Sequence, residues 1–236
     1  MTPTAPTSSP ARTAPVTIAP TIAPVAIAPV TIATVGTDAA PSWLSERLAS
    51  GAHPDARRAF EAARDTLIAG RRIDMTALAA GLGVDRTSLF RWVGNRDALL
   101  SEVLWSLAIP TLVQAEHANA ARSGGDRIAG ILTHFVDDLI TAEYFRSFLR
   151  REPARALRLL TTKESPIQRR YVATADWLVR RDLGDAPLGG AIAPADLAYI
   201  LVRLSESFTY ADLISGDTPS ADRARVAFRL TLRVDE

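Results

Sequence analysis

The chain contains no cysteine. A disulfide framework, a thiolate nucleophile and a zinc–thiolate centre are therefore excluded at the outset. Lysine is almost missing as well, with Lys163 its sole example, so nearly all cationic chemistry rests on arginine. Charge of one sign is also lacking: the formal net charge is +1 over 236 residues, so the chain as a whole is no polycation. No apolar run in the sequence approaches the roughly 20 residues that a bilayer-spanning helix requires, and no membrane partner is expected. Catalytic signatures are missing too. There is no Gly-x-Ser-x-Gly elbow, no phosphate-cradling glycine loop and no nucleophile–base pair at short spacing, so neither an enzyme nor a bound cofactor is expected.

What is present divides into a tail and a helical body. Residues 1–41 repeat a Thr/Val-Ile-Ala-Pro unit ("TIAPTIAPVAIAPV") with only Arg12 and Asp38 charged. Proline at that frequency removes backbone donors and fixes φ, which predicts a disordered, polyproline-II-like tail. A signal peptide would need a basic start and an uninterrupted apolar stretch, and the tail has neither. From Trp43 onward the apolar residues recur with helical period. Ala56, Ala59, Phe60, Ala63, Leu67 and Ile68 form one stripe; Ile128, Ile131, Leu132, Phe135, Val136, Leu139 and Ile140 form another, with Asp126 as its expected N-cap. Later stripes start on Pro166 and Pro194, and a last one runs from Ser220. No alternating strand pattern competes, so the fold class is all-α.

The stretch "LAAGLGVDRTSLFRWVGNRDALL", Leu78 to Leu100, carries the most information. Asp74 is placed to cap a helix from Met75 to Leu82, Gly83 supplies the positive φ of a tight turn, and Asp85 caps a second helix, Arg86 to Trp92. Two short helices hinged at a glycine make a helix-turn-helix, whose second helix fits the DNA major groove. Leu89 points back at Leu78, while Arg86, Thr87, Ser88, Phe90, Arg91 and Trp92 crowd together on the outside. Asn95 caps the next helix, and its free N–H groups together with Arg96 form an anion site suited to a phosphate. Charge agrees weakly: residues 53–100 hold eight arginines against six acidic residues, whereas 101–236 hold seventeen basic against eighteen acidic.

From roughly Pro54 to Leu107 this pattern resembles the TetR family of bacterial repressors almost position by position. The resemblance implies a DNA-binding domain at 53–100, an effector-binding and dimerisation domain at 101–236, and cytoplasmic location. It further implies groove and phosphate contacts at Thr87, Ser88, Phe90, Arg91 and Trp92, and a phosphate grip at Arg96. One position departs from the family pattern: Phe90 stands where tyrosine is usual, so the hydroxyl that reaches phosphate is missing. The segment "DLAYILVRLSESFTYADLISG" resembles the penultimate helix of a subgroup that regulates quorum-signal degradation, which implies a lactone or similar small amphipathic effector.

The partners expected are thus a double-stranded DNA operator, a small-molecule effector and a second copy of the chain. Candidate effector contacts are Trp105, Phe135, Phe148, Tyr171, Trp177, Tyr199 and Glu206, and a mostly apolar pocket is expected between helices at 101–122, 125–141 and 166–183. Glu206 and Ser205 lie on a mostly apolar helix; facing inward they would hydrogen-bond an effector, facing outward they would be solvated. Helices at 194–215 and 220–234 are expected to pair with their symmetry mates, with Leu201 and Phe228 on the interface. His134, Asp137 and Asp138 have metal-like spacing, but a solvated helix face explains them equally and no metal site is assigned. Asp137-Asp138 also fits the start of an aspartate-rich cyclase motif, although Thr141 stands where its third aspartate belongs. Two other readings remain beside a ligand-released repressor: an orphan or activating regulator, and an all-helical enzyme with a vestigial DNA-binding domain.

Overall fold

A computed structural model describes Met1 and residues 38–234; the expected tail lies, but for its last residues, outside the described part. Twelve helices occupy the described residues: α1 (Trp43–Ala49), α2 (Pro54–Ile68), α3 (Met75–Leu82), α4 (Arg86–Val93), α5 (Arg96–Ala118), α6 (Gly124–Thr141), α7 (Glu143–Arg151), α8 (Pro153–Thr161), α9 (Pro166–Leu183), α10 (Pro194–Thr209), α11 (Ala211–Ile214) and α12 (Ala221–Leu232). No strand occurs among them, only an isolated bridge between Leu188 and Ile192 in the loop before α10. The fold is all-α, as the periodicity predicts.

Local chemistry sets the ends of the short helices. The Asp74 carboxylate accepts from the Thr76 and Ala77 amides, Asp85 from Ser88, and Asn95 from Ala98. Gly83 ends α3 in the left-handed region at φ 71°, and the Val84 amide closes the turn on the Ala79 carbonyl. The stripe of α2 packs on α3, α4 and α5, burying Ala56, Ala59, Ala63 and Leu67. Ile68, expected in that stripe, stays exposed. The α6 stripe is buried from Ile128 to Val136. Its cap differs from expectation: the helix begins at Gly124, and Asp126 lies in the first turn, paired with Arg122 and Arg229.

Two features refine the expected helical body. The first is α1, opened by a reciprocal Ser42–Ser45 capping box before the helix-turn-helix. The second is the length of α5, which crosses the expected boundary at 100/101 without a break and carries Pro110 inside it. By length and composition α5 would pass for a membrane span, contrary to the sequence reading; ten of its side chains are instead buried in the protein. One apolar cluster runs from Leu44 through Leu99, Leu132 and Leu178 to Leu232, so the helix-turn-helix rests on the same core as the rest. α5, α6, α9, α10 and α12 form its main body. At the end of α5 the side chain of Asn119 donates to the Ala115 carbonyl and lies hard against Gly130, where an added Cβ would overlap it.

Candidate nucleic-acid interface and effector cleft

The second helix of the helix-turn-helix, α4, expected to enter the groove, has two faces. Leu89 and Val93 are fully buried, and Trp92, expected outside, is half-buried against the core. Arg86, Thr87, Phe90 and Arg91 are exposed on the other face, with Phe90 57% accessible. Ser88 is half-buried, and its hydroxyl donates to Asp85 Oδ2 at 2.7 Å, so the cap holds it rather than leaving it free. Hydrogen bonds from Ser88 keep the Asp85 carboxyl below the usual range. The presented face therefore consists of two arginines, a hydroxyl and an aromatic ring. Guanidinium groups can pair with guanine or phosphate, and Thr87 and Phe90 can meet thymine methyls or sugar.

Arg96 departs from expectation. Its Nε donates to the Ile73 carbonyl at 2.5 Å, and its two amino groups bind both oxygens of Glu152 at 2.6 and 2.5 Å. Only 13% of the side chain is accessible. In this conformation the guanidinium is engaged at the α7–α8 bend. A long-range ion pair outcompetes hydration here because it is bidentate and largely removed from solvent.

The expected effector residues fall into four places. Trp105, Ile109, Leu112, Val113 and Glu116 of α5, Ile131 of α6, and Thr174, Trp177 and Leu178 of α9 line a mostly apolar cleft of about 60 Å³. This is the helix trio expected from the sequence, with Trp105 and Trp177 in it. Arg181 stacks on Trp177 at 4.3 Å and pairs with Glu116, adding charge at one end. Phe135 and Tyr171 instead pair ring to ring at 5.2 Å deeper in the core, where the Tyr171 hydroxyl and Ser205 Oγ are 2.8 Å apart. Glu206, beside Ser205 on α10, is buried with Arg203 NH1 3.0 Å from Oε2, and its Oε1 has no partner. Burial raises its carboxyl to about 7 despite Arg203. Phe148 lies elsewhere, lining a small cavity with Ile73, Arg96 and Leu100 between α7 and the helix-turn-helix. Tyr199 is half-exposed on the outer face of α10. Trp105 and Trp177 thus share the cleft; the other five do not line it.

Behind Trp105 lies a cluster the sequence reading missed. Arg170 is wholly buried, its Nε donating to the Ala40 carbonyl and its NH1 to Glu102 Oε2 at 2.9 Å; its NH2 has no partner. Ser42 Oγ donates to the other Glu102 oxygen at 2.6 Å, and the guanidinium lies 5.9 Å from the Trp105 ring. This cluster fastens the segment entering α1 onto α5 and α9. The paired serines at Ser42 and Ser45 were the available sequence signal for α1. Nothing local marks Arg170 and Glu102 as partners, since 68 residues separate them.

Comparison with known proteins agrees with this architecture. Residues 123–233 match the family model described as Tetracyclin repressor-like, C-terminal domain. The solved structure of the R. erythropolis transcriptional repressor QsdR from the TetR family superposes with a TM-score of 0.67. It is 27% identical and covers 77% of this chain and 95% of its own. No curated protein matches. A helix-turn-helix at one end of α5, a matched C-terminal domain beyond it and this structural neighbour agree with one another: the C-terminal part of the chain is similar to that of tetracycline-repressor-like proteins, and the fold is similar to that of a TetR-family transcriptional repressor.

Proposed function

We propose that the chain is a homodimeric, cytoplasmic repressor that leaves a palindromic operator when a small amphipathic molecule occupies the α5–α6–α9 cleft. The observation that carries this reading is the continuity of α5. Its first turn follows the recognition helix directly, and its residues Trp105 to Glu116 form one wall of the cleft. A ligand that moves that wall moves the base of the helix-turn-helix with it. Pro110 lies in the same wall and removes one helical hydrogen bond, a natural place for α5 to bend. The repressor role is carried over from QsdR, whose structure is described as that of a repressor.

The cleft is far smaller than the roughly 300 Å³ of typical ligand sites. Effector binding must therefore widen it, and the effector selects the wider state. Apolar walls with charge confined to one end suit an acyl chain carrying a polar head, and acyl-lactones are the first class to test. Thermal shift with a panel of acyl-lactones and acyl esters, followed by operator titration, examines this directly. A binding compound should change tryptophan emission through Trp105 and Trp177 and weaken operator affinity, with operator weakening compound binding by the same factor. A compound that binds tightly in the cleft and leaves operator affinity unchanged would favour the orphan or activating reading.

Dimerisation is supported by apolar side chains left outside on α10 and α12, which pack against each other. Tyr199, Ile200, Val226 and Leu230 are 50%, 36%, 56% and 75% accessible. Leu201 and Phe228, the expected interface residues, are instead completely buried within the protomer. The exposed apolar side chains lie one or two residues around each helix from these, because the inner and outer faces of both helices are apolar.

A further inference from the structure

Glu152 is the hinge residue between α7 and α8, closing one helix and preceding Pro153 of the next, with φ −138° and ψ 57°. Three guanidinium groups surround its carboxylate. Arg96 binds both oxygens, Arg155 Nε lies 3.1 Å from Oε2, and Arg72 Nε lies 3.7 Å from Oε1. The hydrogen bond from Arg96 is the largest influence holding this carboxyl below its usual range. Arg155 also pairs with Asp97, and Arg158 with Asp97 and Glu164. Asp97 and Glu152 thereby join the start of α5 to α8 and the α7–α8 bend.

The position of Arg96 makes this more than a structural contact. It opens α5 only two residues after Gly94, which ends the recognition helix, so its backbone lies at the rim of the groove-reading face. A duplex backbone seated on α4 would pass there, near the N-terminal amides of α5. Glu152 would not be orphaned if Arg96 turned away, because Arg155 and Arg72 remain beside it. Arg96, in turn, would gain a phosphate. A charge pair with a ready substitute on each side can exchange at small net cost, unlike the buried Arg170–Glu102 pair.

We propose that Glu152 withholds Arg96 from the DNA backbone in this conformation, so that the α7–α8 bend governs one phosphate contact per subunit. Glu152 is then a positioning residue for DNA affinity, blind to base sequence. The inference rests on the DNA-binding reading above and specifies which arginine is held in reserve.

The test is DNA binding by the full chain at several salt concentrations, on the gene's upstream region and on a scrambled duplex. The proteins compared are wild type, Glu152→Gln, and Glu152→Gln combined with Arg96→Gln. One added phosphate contact steepens the salt dependence by about 0.9 per subunit. For a dimer, Glu152→Gln should therefore lose roughly twelvefold more affinity than wild type when salt rises fourfold, starting from tighter binding at low salt. The steepening should appear on both duplexes, and the double variant should lose it. Unchanged slope in Glu152→Gln, while wild type binds DNA, would overturn the inference and leave the regulator reading intact. A gain retained in the double variant would overturn it too, by showing that removal of a negative charge is sufficient. Absence of DNA binding by wild type and Glu152→Gln alike would instead strike at the regulator reading itself. If Glu152→Gln melts too early to assay, Glu152→Asp keeps the charge, cannot span both amino groups, and should steepen the slope by a smaller amount; a slope equal to wild type there also overturns the proposal.

Discussion

Single side chains in this molecule show how burial changes what a residue can do. Glu206 lies within a buried polar group with Tyr171, Ser205 and Thr209, yet one carboxylate oxygen has no partner. Its carboxyl is raised from the usual 4.5 to about 7, chiefly by desolvation. The unfolded chain gives up this proton at lower pH than the folded chain. Its contribution is therefore fully present below about pH 4.5 and is lost as pH rises through about 7. Glu206→Gln should remove that dependence and raise stability at pH 8 by on the order of 2 kcal/mol, measured by urea unfolding at pH 5 and pH 8. An equal change at both pH values would show that Glu206 does not titrate in this window. Tyr171 and Tyr210 are raised for the same reason, burial, and stay neutral throughout the range.

At the scale of helices, the sequence was most informative where structure is local. Asp74, Gly83, Asp85 and Asn95 each act within three residues of the group they cap or turn, so their positions sufficed to place α3, α4 and the start of α5. The exposed face of α4 was mostly legible for the same reason; Ser88, tied to its cap, and Trp92, drawn into the core, were the departures. Arg96 was not legible, because its partner Glu152 is 56 residues away and helical periodicity carries no information about such pairs. The expected effector contacts divide in the same manner. Facing helices were identified from their stripes, whereas the choice among their aromatic residues depended on rotation that only packing fixes. The outer stripes of α10 and α12 give the clearest test at this scale. Ile200→Glu combined with Leu230→Glu should yield monomers in light scattering while preserving helical content, since neither side chain is needed by the protomer core. The monomers should bind operator much more weakly, because each half-site then loses its linked partner. A doubly charged variant that remains dimeric would place the interface elsewhere.

At the scale of the whole molecule, one helix connects two chemistries. α5 begins beside the recognition helix, where Arg96 is held by the α7–α8 bend, and continues into the wall of an apolar cleft. The segment before α1 is fastened to α5 and α9 through Glu102 and Arg170, so the reading head is tied to the body at a second point. All of this regulates something only if α4 reads DNA sequence. The most direct measurement is fluorescence anisotropy of the gene's own upstream duplex and a scrambled duplex, titrated with wild type and with Arg91→Ala at fixed salt. The account predicts that wild type prefers the upstream duplex and that Arg91→Ala loses about 1–3 kcal/mol per half-site, mainly on that duplex. Equal affinity of wild type for both duplexes, unchanged by Arg91→Ala, would contradict it.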